Sequence, residues 1–359
     1  MASMASRAGR TLMATPFLAI AVICFTQMDL PKLEVYQKQV LETGKGVIEW
    51  PGGSLAVFDR FYRVDALDKM WRGASVVFSP SSQGFDPVSW WQMVSFLTDL
   101  GPVYCVWFME AARGANAWTS AYSATFWVFA AQFFGIGTIA PIYYFLFLVS
   151  GPATADIAGS GFAKLDKRSF DWRHIAFLLP LVLGLHNFEV FAAYLSPDPI
   201  TRHYWVWAWQ MSPLWIGIAS FAGSYVVGPR YYVTMLARPS VLIKAVCAVS
   251  AVVWVSVLLF SPHSPFEIFL PTWEAQDDLV LHTRRALQMD QVCLFGSSFL
   301  WLAYQLVEIY WLGFMEGDGF WPLALLPVVL ACFGPGVTFA LGWWWRERKL
   351  DLAVEPGRN

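Results

Sequence analysis

Long apolar runs recur along this chain with brief polar interruptions, and eight of them reach the length of a bilayer crossing. They fall at 11–28, 88–109, 120–148, 174–195, 203–227, 240–260, 291–314 and 322–345. About 20 apolar residues in a helix cross a hydrocarbon layer about 30 Å thick. The pattern predicts an all-α, polytopic integral membrane bundle of about eight transmembrane helices, or seven if the first run does not span. It divides the chain into an N-terminal transmembrane segment (1–28), an extramembrane segment (29–87), a seven-helix catalytic membrane domain (88–345) and a polar C-terminal tail (346–359). No repeat, heptad array or low-complexity tract interrupts this plan, which argues against a transporter built from inverted repeats.

Segment 29–87 mixes charge with the turn signals Trp50-Pro51-Gly52-Gly53 and Ser79-Pro80-Ser81-Ser82-Gln83-Gly84. Between them, Phe58 to Trp71 places apolar residues at helical intervals. This fits an amphipathic helix lying on the membrane surface or one packed on the domain's own loops. Gly159-Ser160-Gly161 predicts an irregular loop, and Gly317-Asp318-Gly319 a tight turn before the last span. Trp343-Trp344-Trp345 followed by Arg346-Glu347-Arg348-Lys349 reads as an aromatic belt with charged anchors at a membrane exit. Lysine and arginine are spread over both sides, so the orientation stays open.

Composition narrows the class. At 57% hydrophobic and 14% charged residues, the chain would aggregate as a soluble protein, and a net charge of −2 without a basic stripe excludes a nucleic-acid partner. The five cysteines (Cys24, Cys105, Cys247, Cys293, Cys332) lie within or beside apolar runs without paired or metal-type spacing, so they read as core residues rather than disulfides or zinc ligands. Arg7 and Arg10 ahead of Leu12 to Phe25 have the outline of a signal peptide, but a small-x-small cleavage site is not evident. The run reads as a retained first span.

The candidate chemistry lies in ionisable groups at membrane depth, where a carboxylate needs a cavity or a partner. Asp99 and Glu110 share a face of the second run, about 16 Å apart along the axis. Glu110 has Arg113 at i+3, the spacing of a structural ion pair. His186 and Glu189 share a face of the fourth run, as a proton relay or a helix clamp would require. In the seventh, Glu308 lies deep beside Gln305, and Asp290 suits either a helix cap or an internal acid. Gln132 and Gln210 add carboxamides that can orient a carboxylic acid. Among many aromatics (Trp107, Tyr143, Tyr144, Trp207, Trp209 and Trp301 included), some can line an apolar chamber whose ring faces stabilise a passing cation.

Several stretches resemble the fungal membrane-bound terpene cyclases of meroterpenoid pathways, of the ascofuranone, ascochlorin and macrophorin types. They are Glu110-Ala111-Ala112-Arg113-Gly114-Ala115-Asn116, Gln132 through Gly135, Gly137 and Pro141 to Phe145, Tyr204 through Trp209-Gln210, and Leu287-Gln288-Met289-Asp290. The resemblance covers about 87–345. It implies an integral enzyme of the endoplasmic reticulum that needs no metal or other cofactor. A carboxylic acid protonates a terminal epoxide or olefin of a farnesylated aromatic or polyketide-derived substrate, and the cation closes rings. A prenyltransferase and an epoxidase would act upstream, and membrane lipid surrounds the protein. Glu110, Arg113, Asn116, Gln132 and Asp290 match the family pattern, whereas Asp99, Glu189 and Glu308 rest on their depth alone. The expected donor is Glu110 or Asp99, with Asp290 or Glu308 as second carboxyl. Arg113, Asn116, Gln132, His186, Glu189, Trp209 and Gln210 are the expected positioning residues. The alternatives are a sterol-type double-bond isomerase centred on His186 and Glu189, or a small-molecule carrier or receptor-like membrane protein.

Overall fold

A computed structural model describes residues 7–158, 162–226, 238–315 and 321–352. The loop expected at Gly159-Ser160-Gly161 and the turn expected at Gly317-Asp318-Gly319 lie outside them. The described chain is nearly all helix. It opens with α1 (Arg7–Met28) and α2 (Leu30–Lys38), a hairpin of β1 (Val47–Trp50) and β2 (Gly53–Ala56), then α3 (Asp65–Ser82), α4 (Pro87–Ala111), α5 (Ala124–Phe134) and α6 (Ile136–Ser150). Short helices follow: α7 (Thr154–Ile157), α8 (Phe162–Arg168), α9 (Trp172–Ile175), α10 (Leu178–Val182) and α11 (Phe188–Leu195). The rest are α12 (Pro199–Val226), α13 (Pro239–Phe260), α14 (Pro265–Phe269), α15 (Leu279–Trp311), α16 (Trp321–Phe333) and α17 (Pro335–Leu352).

Helix α4 is the axis of the bundle. Every residue from Gln92 to Glu110 is buried, as expected of a helix enclosed on all sides. It packs against α3, α13, α15 and α17 among others. Helix α1 has the opposite character. Ala14, Phe17, Ala21, Cys24 and Met28 form one buried stripe against α6 and α15, while Leu12, Val22, Ile23 and Phe25 face outward. Trp107 stacks on Tyr143 with ring centroids 4.2 Å apart, its indole N–H donates to the Tyr144 hydroxyl at 3.0 Å, and Tyr144 stacks on Trp301. These rings tie α4, α6 and α15 together as core.

Among the described residues, four helical stretches are long and apolar enough to cross a membrane: Arg7–Thr43, Trp172–Leu195, Pro239–Phe260 and Leu279–Trp311. The expectation of eight spans is therefore not supported. The runs at 120–148 and 322–345 are each cut in two, by Gly135 (φ 78°) and Gly334 (φ 91°), where a left-handed backbone ends one helix and starts the next. Helices α4 and α12 have the length, but polar residues such as Gln92, Ser95, Thr98 and Asp99 in one, and Thr201, Arg202, His203 and Gln210 in the other, dilute their apolar character.

The segment between α2 and α4 is built on the protein itself. The hairpin pairs Val47 with Ala56 through Trp50 with Gly53, and Pro51-Gly52, with Gly52 at φ 94°, meets the demands of a type II turn. The helix expected from Phe58 begins only at Asp65. Phe58, Phe61 and Tyr62 instead form an aromatic strap on α12, with Phe61 stacked on Trp207 and the Phe58 N–H donating to His203 Nε2 at 3.3 Å. Asp68 fastens the strap by accepting the N–H groups of Phe61 (3.0 Å) and Tyr62 (2.7 Å). Burial opposes its charge, but these backbone donors outweigh that and hold its carboxyl below the ordinary aspartate range. Its contribution is thus present at neutral pH and lost as the pH falls through that lowered value. Helix α3 packs on α2, α4 and α12, which favours the domain-packed reading of this segment over the surface-lying one.

Candidate functional site

The expected acids do not converge. Glu110, at the end of α4, is buried in a network of two acids and two bases. Arg113 Nε reaches Glu110 Oε2 at 2.8 Å and Arg113 Nη2 reaches Glu347 Oε1 at 2.8 Å. Arg346 Nη1 lies 3.1 Å from Glu110 Oε1 and 2.6 Å from Glu347 Oε1. Trp343 Nε1 (2.8 Å) and Asn116 Nδ2 (2.9 Å) also donate to Glu110, Arg346 Nη2 donates to Gln305 Oε1, and the Arg113 guanidinium lies over the Phe170 ring. The four charges cancel, and the Glu110 oxygens are fully engaged. Glu110, Arg113 and Asn116 thus act together as a clamp between α4, α15 and α17. Arg346 and Glu347, expected in a polar tail, are buried members of α17 in this clamp.

Asp99 lies on the face of α4 turned toward α13 and the start of α17. It accepts from the Ser250 hydroxyl and the Gly336 backbone N–H, so it caps α17 from outside, while its Oδ2 has no hydrogen-bond partner. Glu308 is half-buried and accepts from the Thr154 N–H (3.2 Å) and hydroxyl, capping α7. It stands 18 residues, about 27 Å, along α15 from Asp290. These two acids form no pair, and Gln305 serves Arg346 rather than Glu308.

His186 sits in a π-helical turn, Leu183–Asn187, between α10 and α11. Its Nε2 is 2.7 Å from the Leu97 carbonyl, and Trp209 Nε1 lies 3.2 Å from its Nδ1. An indole N–H only donates, so Nδ1 accepts and the proton resides on Nε2, donating to Leu97. Both nitrogens are engaged by these partners, and neither bonds Glu189. Glu189 is buried with Oε2 unpartnered, and Gln210 is buried with neither amide atom partnered.

Asp290 has a different setting. It borders a cavity of about 220 Å³ together with Gln132, Tyr104, Trp209, Phe78 and Phe96. Among the described residues, the cavity walls are otherwise mostly apolar and carry no lysine, arginine or histidine. The Asp290 carboxyl accepts the Gly137 backbone N–H at 2.6 Å, the first turn of α6. It is not the cap of its own helix, since Asp278 fills that role by accepting the Leu281 N–H at 2.8 Å. Helices α6 and α15 meet so closely here that a Cβ on Gly137 would overlap the Asp290 carbonyl oxygen and lie 2.9 Å from its Cα, while one on Gly135 would lie 2.5 Å from its carboxyl. Gly137→Ala is therefore expected to force the two backbones apart, costing about 1–3 kcal/mol. The measurement is thermal unfolding in detergent, and an unchanged midpoint would count against this close approach.

Of the expected residues, the fold brings Asp290, Gln132 and Trp209 to one chamber. Tyr104 and Phe96 were not singled out, because a ring on an all-round buried helix carries no mark of which face is hollow, and Phe78 lies on α3, outside the apolar runs. Arg346 and Glu347 escaped because their charges looked like membrane-exit anchors.

The matching proteins are longer than this chain. It is 28% identical over 356 residues to the FAD-dependent monooxygenase verC1 of Penicillium polonicum, covering 96% of this chain and 43% of that protein. It is 26% identical to the FAD-dependent monooxygenase anuJ of Penicillium roqueforti (83% and 37% covered) and 25% identical to the FAD-dependent monooxygenase BOA8 of Botryotinia fuckeliana (71% and 34%). The chain thus spans less than half the length of these curated relatives. No solved structure matches. Residues 33–350, from α2 to the last turn of α17, match the CtvD domain, and the chain belongs to the CtvD domain family.

Proposed function

We propose that this chain is a membrane-embedded cyclase of fungal secondary metabolism that opens an epoxide on an apolar small molecule, with Asp290 as the acid. The observation that carries this reading is the pairing of one carboxyl with an apolar, aromatic chamber that contains no base. Asp290 gives its proton to the epoxide oxygen as the C–O bond breaks, and the oxygen becomes a hydroxyl. An internal nucleophile, a double bond or a hydroxyl, closes the ring on the carbon released. The proton lost from the resulting cation returns to the Asp290 carboxylate, so the reaction is an isomerisation and consumes nothing. The faces of Tyr104, Trp209, Phe78 and Phe96 stabilise the intermediate charge. The resemblance to meroterpenoid cyclases supports a farnesyl chain as the part that reacts, and an endoplasmic reticulum setting.

The relatives' names speak of flavin oxygen chemistry, and the described residues do not fit a flavin. Gly135-Ile136-Gly137-Thr138-Ile139-Ala140 has the G-x-G-x-x-A spacing of a dinucleotide turn, but it follows helix α5 rather than a strand. The start of α6, where a pyrophosphate would sit, is taken by the Asp290 carboxyl. No step here runs through a flavin. A monooxygenase that transfers oxygen to an alkene makes an epoxide, which is the substrate this chamber is suited to consume.

The test is conversion of a farnesyl-epoxide phenol by microsomes containing the protein. The expected result is a cyclised product of unchanged mass. Recovery of intact epoxide, alongside migration of a double bond in an added sterol, would overturn the reading in favour of an isomerase.

A further inference from the structure

Resting on that reading, we propose that Gln37 and Gly73 form a doorway between the Asp290 cavity and a water-facing groove, and that the substrate is an amphiphile held head-out and tail-in. The groove, about 530 Å³, runs between α2, α3 and the strap, and Gln37 borders both it and the inner cavity. Gly73 lies on the groove side in the middle of α3, where glycine costs about 1 kcal/mol relative to alanine. No unusual backbone angle requires it. A Cβ at Gly73 would lie 2.5 Å from Gln37 Oε1 and 2.9 Å from Gln37 Cδ, so a side chain there would displace the Gln37 carboxamide from its present place. The bare backbone at Gly73 thus leaves room for the Gln37 carboxamide where the two cavities adjoin.

The chemistry of the two sides differs. The inner walls are hydrocarbon and aromatic down to Asp290, which suits a polyene or prenyl tail. The groove holds charges largely paired with one another: Glu34 with Lys38 at 2.8 Å, Asp59 with Arg72 at 2.6 Å and Asp65 with Arg60 at 3.8 Å. Such a surface offers donors and acceptors to a neutral head rich in hydroxyl and carbonyl groups. It has no surplus of cations for a diphosphate. The head would rest at the water boundary while the reactive end of the tail reaches Asp290.

The experiment uses the Asp290→Asn protein in phosphatidylcholine nanodiscs, so that binding is read without turnover. The probes are the prenyl, geranyl and farnesyl ethers of umbelliferone, followed by fluorescence. Affinity is expected to rise at least about tenfold from the prenyl to the farnesyl ether. A glucosyl group added to the coumarin is expected to change farnesyl-ether affinity by less than about threefold, because the head lies in the groove. Gly73→Leu is expected to weaken the farnesyl ether about tenfold or more, and adding Gln37→Ala to restore it. Loss of binding on glucosylation, or a Gly73→Leu protein that binds normally, would overturn the proposal. Head-out binding in a protein whose wild-type form cyclises nothing would sink the functional reading and leave the doorway standing.

Discussion

Glu110→Ala is expected to destabilise the protein by about 3–5 kcal/mol, the cost of removing one partner from a buried ion pair and leaving the other charge uncompensated. Whole-protein stabilities of about 5–15 kcal/mol make that a large share. The loss falls on Arg113 and Arg346 together, both buried, and also strands the Trp343 and Asn116 donors. Because the clamp joins the end of α4 to α15 and α17, the effect is expected as a lowered midpoint of thermal unfolding in detergent. A Glu110→Ala protein that melts normally yet fails to cyclise substrate would mean that Glu110 acts chemically. The same logic applies to Arg346→Ala, whose guanidinium serves Glu110, Glu347 and Gln305.

The local parts of this fold were legible in the chain. The Glu110–Arg113 pair follows from its i, i+3 separation. Pro51-Gly52 announced its turn. The failures have one physical origin, which is that partners distant in sequence leave no periodic trace. Asp290 meets Gly137 across 153 positions, Glu110 meets Arg346 across 236, and Asp99 meets Ser250 across 151. Each acid looked equally free because its partner lies on another helix. The glycines misled in a related way. In a run of apolar residues Gly135 and Gly334 pass for small members of a span, whereas their left-handed backbones end helices and reduce the number of long apolar crossings.

The fold also separates roles that depth alone could not. Asp99 and Glu308 cap helices, Glu110 balances two guanidinium groups, and His186 aims the Trp209 indole at the cavity while its other face meets the Tyr104 ring, centroids 4.9 Å apart. Asp290 also caps a helix, by accepting the Gly137 N–H of α6, and among these acids it is the one that borders the inner cavity.

The proposed role of Asp290 as proton donor is tested by comparing epoxide turnover by the wild-type, Asp290→Asn and Asp99→Asn proteins in nanodiscs. Asparagine keeps the shape of the side chain and can still accept the Gly137 N–H, but it has no acidic proton to give. General acid catalysis is worth about 10²–10⁴ in rate. Asp290→Asn is expected to lower kcat by that factor with KM little changed, and Asp99→Asn to cyclise at near the wild-type rate. An Asp290→Asn protein that turns over at the wild-type rate, or an Asp99→Asn protein that folds and is inactive, would contradict that role.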